Sequence, residues 1–118
     1  MSENKDLRFC ELLSKMIKES GMTQSEFYGK LKIKKPYFYD ILGGKINPPP
    51  PIKQFAMIEI LNPDEQTRNL FFELAARERR EVPADIAKYL EEENLRTAIR
   101  TKIDYSNLLI KKGGQING

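Results

Sequence analysis

Residues 21–48 read GMTQSEFYGKLKIKKPYFYDILGGKINP, and the punctuation of this stretch predicts two short helices joined by a tight turn. Thr23 is a helix N-cap residue type, and Glu26 follows at the capping-box spacing, where hydroxyl and carboxylate each satisfy an orphan amide. Phe27 and Leu31 share one face at i, i+4. A second helix begins at Lys34-Lys35-Pro36, where proline is tolerated because its missing N–H falls in the first turn. Phe38, Ile41 and Leu42 make its apolar stripe, and Gly43-Gly44 stops it. That leaves Lys34, Lys35, Tyr37, Tyr39 and Asp40 outward, groups that reach phosphates and base edges.

Charge concentrates on the same stretch. Residues 30–53 hold six lysines (30, 32, 34, 35, 45 and 53) against Asp40 alone, whereas residues 63–118 balance ten basic groups with ten acidic ones. A solvated lysine face is the bland reading of such a cluster. Its coincidence with a turn-separated helix pair favours a polyanion partner.

Outward from this centre the chain continues to read as helix. Phe9, Cys10, Leu13, Met16 and Ile17 recur at three- and four-residue spacing over about 6–20, and Gly21 closes that helix. Asn47 and the run Pro48 to Pro51 force an extended crossing, either a ligand for a proline-reading domain or a stiff spacer. Residues 52–61 are apolar on nearly every side, which predicts a helix central to the core. Asn62-Pro63-Asp64-Glu65 reads as a cap, a first-turn proline and acids at the positive end of a helix dipole. That helix runs to about Arg80 with Leu70, Phe71, Leu74 and Ala75 inward and a basic end, Arg77-Glu78-Arg79-Arg80. Val82-Pro83-Ala84-Asp85 starts another, and a last amphipathic piece near 94–103 carries Leu95, Ala98, Ile99 and Ile103. Strand-like alternation competes nowhere, so the expected class is all-α.

At 118 residues the chain suits one domain, and no apolar run is long enough to cross a bilayer. No signal-peptide pattern opens it. A single cysteine, Cys10, rules out an internal disulfide and suits a reducing cytoplasm. Histidine is absent, which together with the lone cysteine removes the usual zinc sites and most nucleophile–base pairs. Glu91-Glu92-Glu93 points in several directions on a helix and reads as solvated rather than metal-binding. Neither a catalytic site, a metal nor a cofactor is expected.

The segment from Phe9 to Leu61 resembles the Cro/C1-type (XRE family, lambda repressor-like) helix-turn-helix domain. The likeness rests on Leu13, Met16, Gly21-Met22-Thr23-Gln24, Leu31, Ile33, Tyr37, Ile41, Gly44-Lys45 and Asn47-Pro48. It implies a five-helix DNA-binding domain, here over 1–80. The residues beyond read as a short helical extension over 81–105, whose apolar side chains either form a dimer surface or lap the core of their own subunit, and a patternless, flexible tail over 106–118. The extension itself resembles, more weakly, those on some regulators of Gram-positive bacteria and their mobile elements. Departures are informative. Lys32 stands where the turn usually has glycine, and Pro36 removes a side chain that often reads bases. Many members pair a buried arginine with a glutamate where Ile17 and Leu42 stand, a joint change to hydrophobes that predicts contact between the two.

By the same resemblance Gln24 bonds a phosphate at its helix N-terminus, Lys35 reads guanine O6/N7, and Lys34 holds phosphate. Tyr37 either donates to a phosphate or packs. Tyr39 lies one turn along beside Asp40, which accepts from cytosine N4 or neutralises Lys35. Lys45 and Asn47 clamp the backbone. The expected function is a cytoplasmic, sequence-specific double-stranded DNA-binding regulator, a homodimeric repressor of a phage or mobile-element operon on a palindromic operator. The alternative is a protein-binding inhibitor on the same scaffold, such as an antirepressor, an antitoxin or a dual anti-defence protein, gripping its partner through the C-terminal helices.

Overall fold

The computed structural model describes residues 6–106 and 108. Among them lie seven α-helices and no strand: α1 Phe9–Ser20, α2 Gln24–Leu31, α3 Lys35–Leu42, α4 Pro51–Leu61, α5 Glu65–Arg79, α6 Ala84–Tyr89 and α7 Glu93–Arg100. The protein is all-α. Two compact units divide it, one reaching to Ile86 and the other starting at Ala87, within α6. Except for Ser106 and Leu108, the tail expected over 106–118 lies outside the described residues.

Helix ends follow local chemistry. The capping box at α2 forms in full: the Glu26 amide donates to Thr23 Oγ1 at 3.0 Å and the Thr23 amide to Glu26 Oε1 at 2.8 Å. Gly21 closes α1 at φ +82°. Lys32 adopts φ +62°, the left-handed conformation that a β-carbon resists. Its amide and that of Ile33 return to the carbonyls of Gly29 and Tyr28, so the turn exacts this geometry without a glycine. At the end of α3, Gly44 at φ +72° sends its amide to Ile41 O while Lys45 reaches Asp40 O, the paired bonds of a Schellman closure.

In the first unit α1 packs against α3, α4 and α5, and α2 against α3 and α4. Phe9, Phe27, Phe38 and Phe71 are fully buried. Burying such a ring contributes about 1.5–3 kcal/mol, so the two belonging to α2 and α3 fix that pair firmly. Their rings sit 5.9 Å apart, and Tyr28 adds a second contact to Phe38 at 5.2 Å. Ile17 is buried in the core and Leu42 packs half-buried against the same cluster.

Three expectations need correction. Helix α4 is not buried all round: Gln54, Met57 and Leu61 point in, Phe55, Ile58 and Ile60 are half-buried, and Ile52 is 77% exposed. Its neighbours α1 and α2 pack against it and Phe55 meets Phe72 of α5 at 5.4 Å, but apolar composition alone supplies no cover for Ile52. The cap of α5 is Asp64 rather than Asn62; Asp64 Oδ1 accepts from the Thr67 amide at 2.8 Å. Asn62 instead closes α4 in a left-handed conformation at φ +45°. Pro48 to Pro50 behave as the stiff spacer, whereas Pro51, expected in the extended run, is the first residue of α4, where its missing N–H falls in the first turn. Pro48 and Pro49 are buried, and their carbonyls accept from Arg79 Nη1 at 2.9 Å and Gln54 Nε2 at 2.8 Å.

In the second unit, the turn before α7 is tied by Arg96, whose Nη1 donates to the carbonyls of Leu90 and Glu91 at 2.8 and 2.6 Å. No residue of α7 is buried. No described helix is long and apolar enough to cross a membrane.

Candidate nucleic-acid interface

Helix α3 has a buried side and an open one. Phe38 and Ile41 are buried, while Lys34, Lys35, Pro36 and Tyr39 are exposed. Lys34 caps the helix in an extended conformation and Lys35 and Pro36 form its first turn, so both ammonium groups project from its N-terminal tip. Tyr37 is half-buried against the core beside Ile41, its i+4 neighbour. Asp40 is half-buried and, among the described residues, makes no salt bridge, so Lys35 is not neutralised by it.

The N-terminus of α2 is joined to α3 by one hydrogen bond that residue spacing did not foretell. Tyr39 Oη donates to Gln24 Oε1 at 2.9 Å, both residues being exposed. With its carbonyl engaged, the exposed Gln24 side chain keeps its amide NH2 as a double donor for a further acceptor. The amides of Gln24 and Ser25 also lack intrahelical partners by position. Glu26 opposes an anion there. Its carboxyl is held below its ordinary value first by the Thr23 backbone amide, then by the Thr23 side chain, with Lys30 adding a smaller pull.

The lysines of this region are open. Lys30, Lys32, Lys34, Lys35 and Lys45 are exposed and Lys53 is half-buried. None of the six makes a salt bridge among the described residues. Unpaired ammonium groups keep their full field for an incoming anion and need break no contact to meet it.

Beyond α3, the loop bearing Lys45 and Asn47 is braced from both ends of the domain. Arg8 Nη2 reaches Gly44 O at 3.4 Å and Glu78 Oε1 at 3.6 Å, while Glu78 Oε2 accepts the Phe9 amide at 2.7 Å. Asn47 lines an open cleft of about 390 Å³ together with Asp6, Arg8, Arg77, Glu78 and Arg80. Sequence reasoning missed these arginines as neighbours of the loop. The basic end of α5 was visible, but it reads equally as complement to its own helix dipole. Among the described residues no group of acidic, cysteine or histidine side chains is placed to hold a metal.

The candidate residues therefore gather as one set around α3: Gln24 with Tyr39, Lys34 with Lys35 at the tip, Lys45 and Asn47 behind it. No family model matches this chain, and no curated protein or solved structure matches it either.

Proposed function

We propose that this chain is a sequence-specific double-stranded DNA-binding regulator, built as a five-helix Cro/C1-type domain with α3 as its reading helix. The observation that carries this is the two-sidedness of α3. A rod fastened by Phe38 and Ile41 offers Lys34, Lys35 and Tyr39 outward, in a field of lysines without salt bridges. Lys35 is the base reader; Lys34, Lys45, Asn47 and the Gln24 amide hold phosphates. One such helix reads few base pairs, so the regulator works as a homodimer on a palindrome with half-sites about 34 Å apart. Repression of a phage or mobile-element operon in the cytoplasm is the role this best suits.

Selection from random duplex DNA, followed by titration of the recovered site at several salt concentrations, tests it. A palindromic consensus bound with steep salt dependence is the expected result. No preference over bulk competitor DNA overturns the proposal. The second reading, a protein-binding inhibitor on this scaffold, draws on one observation: the extension carries exposed Ile86, Tyr89 and Ile99. Failure of the selection, with capture of a protein through those side chains, would establish it instead.

A further inference from the structure

Helix α7 has no buried side chain, yet its sequence is strongly two-faced. Leu95, Ala98 and Ile99 stand at i, i+3 and i+4 on one side, Ile103 follows at i+8, and Ile99 and Ile103 are 39% and 37% exposed. An eight-residue helix is marginal in water alone, because helices below about 12–15 residues rely on packing of an apolar face. Among the described residues the stripe is covered only in part: Leu95 is half-buried, while Ala98 and Ile99 are exposed.

Charge identifies the cover. Residues 87–106 carry four cations, Lys88, Arg96, Arg100 and Lys102, and four anions, Glu91, Glu92, Glu93 and Asp104, so the segment presents no net field to a membrane or a nucleic acid. The charges are sorted in the main by end: Glu91, Glu92 and Glu93 lie at and just before the start of the helix, with Lys88 paired to Glu91 at 3.7 Å, and Arg100 and Lys102 at and just past its finish, with Asp104 beyond. A surface acidic at one end and basic at the other is complementary to itself turned around. That is the condition for an isologous two-fold interface.

We propose that α7 docks against α7 of a second copy of this chain, antiparallel, with the two-fold axis passing near Thr97 and Ala98. In this register Leu95 lies on the partner's Ile99, the small Ala98 allows close approach, and Glu92 faces the partner's Lys102. The helix dipoles oppose, which adds to the fit. The inference deepens the reading of the chain as a paired regulator by naming where the second copy sits. Stable interfaces bury about 1,200–2,000 Å² in total. Two helices of eight residues, each about 12 Å long, supply less, so the pairing is weak in solution and is reinforced when both copies share one duplex.

Sedimentation equilibrium of the full chain without DNA tests it, which keeps its failure separate from failure of operator binding. The unaltered chain should dimerise with a dissociation constant of order 10 µM. Ile99→Glu should leave it monomeric with unchanged circular dichroism of the first unit. Glu92→Lys or Lys102→Glu alone should each weaken the dimer about tenfold, since each contact occurs twice per pair. The double reversal, Glu92→Lys with Lys102→Glu, should restore it. A chain monomeric at several hundred µM, a dimer indifferent to Ile99→Glu, or a double reversal no better than the single ones each overturns the proposal.

Discussion

Replacing Lys45 by alanine separates affinity from sequence choice. Lys45 follows the left-handed Gly44, and its amide is tied to Asp40 O at 3.0 Å, so its backbone moves with the end of α3. Its side chain is exposed and forms no salt bridge among the described residues, so truncation should leave the fold intact. Four such exposed lysines per subunit, Lys30, Lys32, Lys34 and Lys45, engaged on phosphates in a dimer would set a slope of log affinity against log salt of about −7, at about −0.9 per contact. Losing Lys45 from both subunits should flatten that slope by about 1.8. At about 150 mM salt each contact carries roughly 0.7 logarithmic units, so the variant should bind about 30-fold more weakly. Fluorescence anisotropy on the selected operator and on a scrambled duplex, at five salt concentrations, measures both quantities. The loss should be equal on the two duplexes. A slope that does not change, or a loss confined to the operator, refutes the assignment of Lys45 as a backbone clamp.

Lys35→Ala should behave oppositely, costing about 1–3 kcal/mol on the operator and relaxing preference at one base position per half-site in a repeated selection. Lys32→Gly relieves the left-handed strain at φ +62° and should raise stability by roughly 0.5–1 kcal/mol in urea unfolding while weakening DNA binding through the lost cation. Gly44→Ala should destabilise by about 1–2 kcal/mol, because a β-carbon there strains φ +72° and comes within 2.6 Å of Arg8 Nη1. With histidine absent, stability should be level from about pH 6 to 8. Glu26, Asp64 and Glu81 have folded-state values below their unfolded ones, held down first by Thr23, Thr67 and Arg79 respectively. The stability they add is therefore full above the ordinary carboxylate range and fades as pH falls through the lowered values. Thermal melts should show that acid limb and a shallower one for Glu26→Gln, and a loss between about pH 8 and 6 would contradict it.

How legible the protein was in its sequence depended on the range of the interaction concerned. Thr23 with Glu26, Gly21, and Pro36 in a first turn act within four residues, and the structure carries each as the spacing predicts. At 62–65 two residue types able to cap stood two apart. The choice of Asp64 was made by the exit of α4, which took Asn62 for its left-handed turn. Composition overstated the burial of α4, since hydrophobicity says what a side chain prefers and not whether a neighbour arrives. The Tyr39–Gln24 bond spans 15 positions and the Arg8–Gly44 bond 36, distances at which periodicity carries no information.

The order of residues by itself determined the helices, their ends, the apolar side of α3 and the clustering of lysine around it, because these depend on neighbours one or two turns away. Only the tertiary structure decided that the Gln24 carbonyl is engaged and its amide free, that Asp40 leaves Lys35 unneutralised, and that the loop carrying Lys45 and Asn47 is braced by arginines from both ends of the domain. Those facts depend on which surfaces meet when the chain closes on itself, and packing of the whole core sets that, not any local preference.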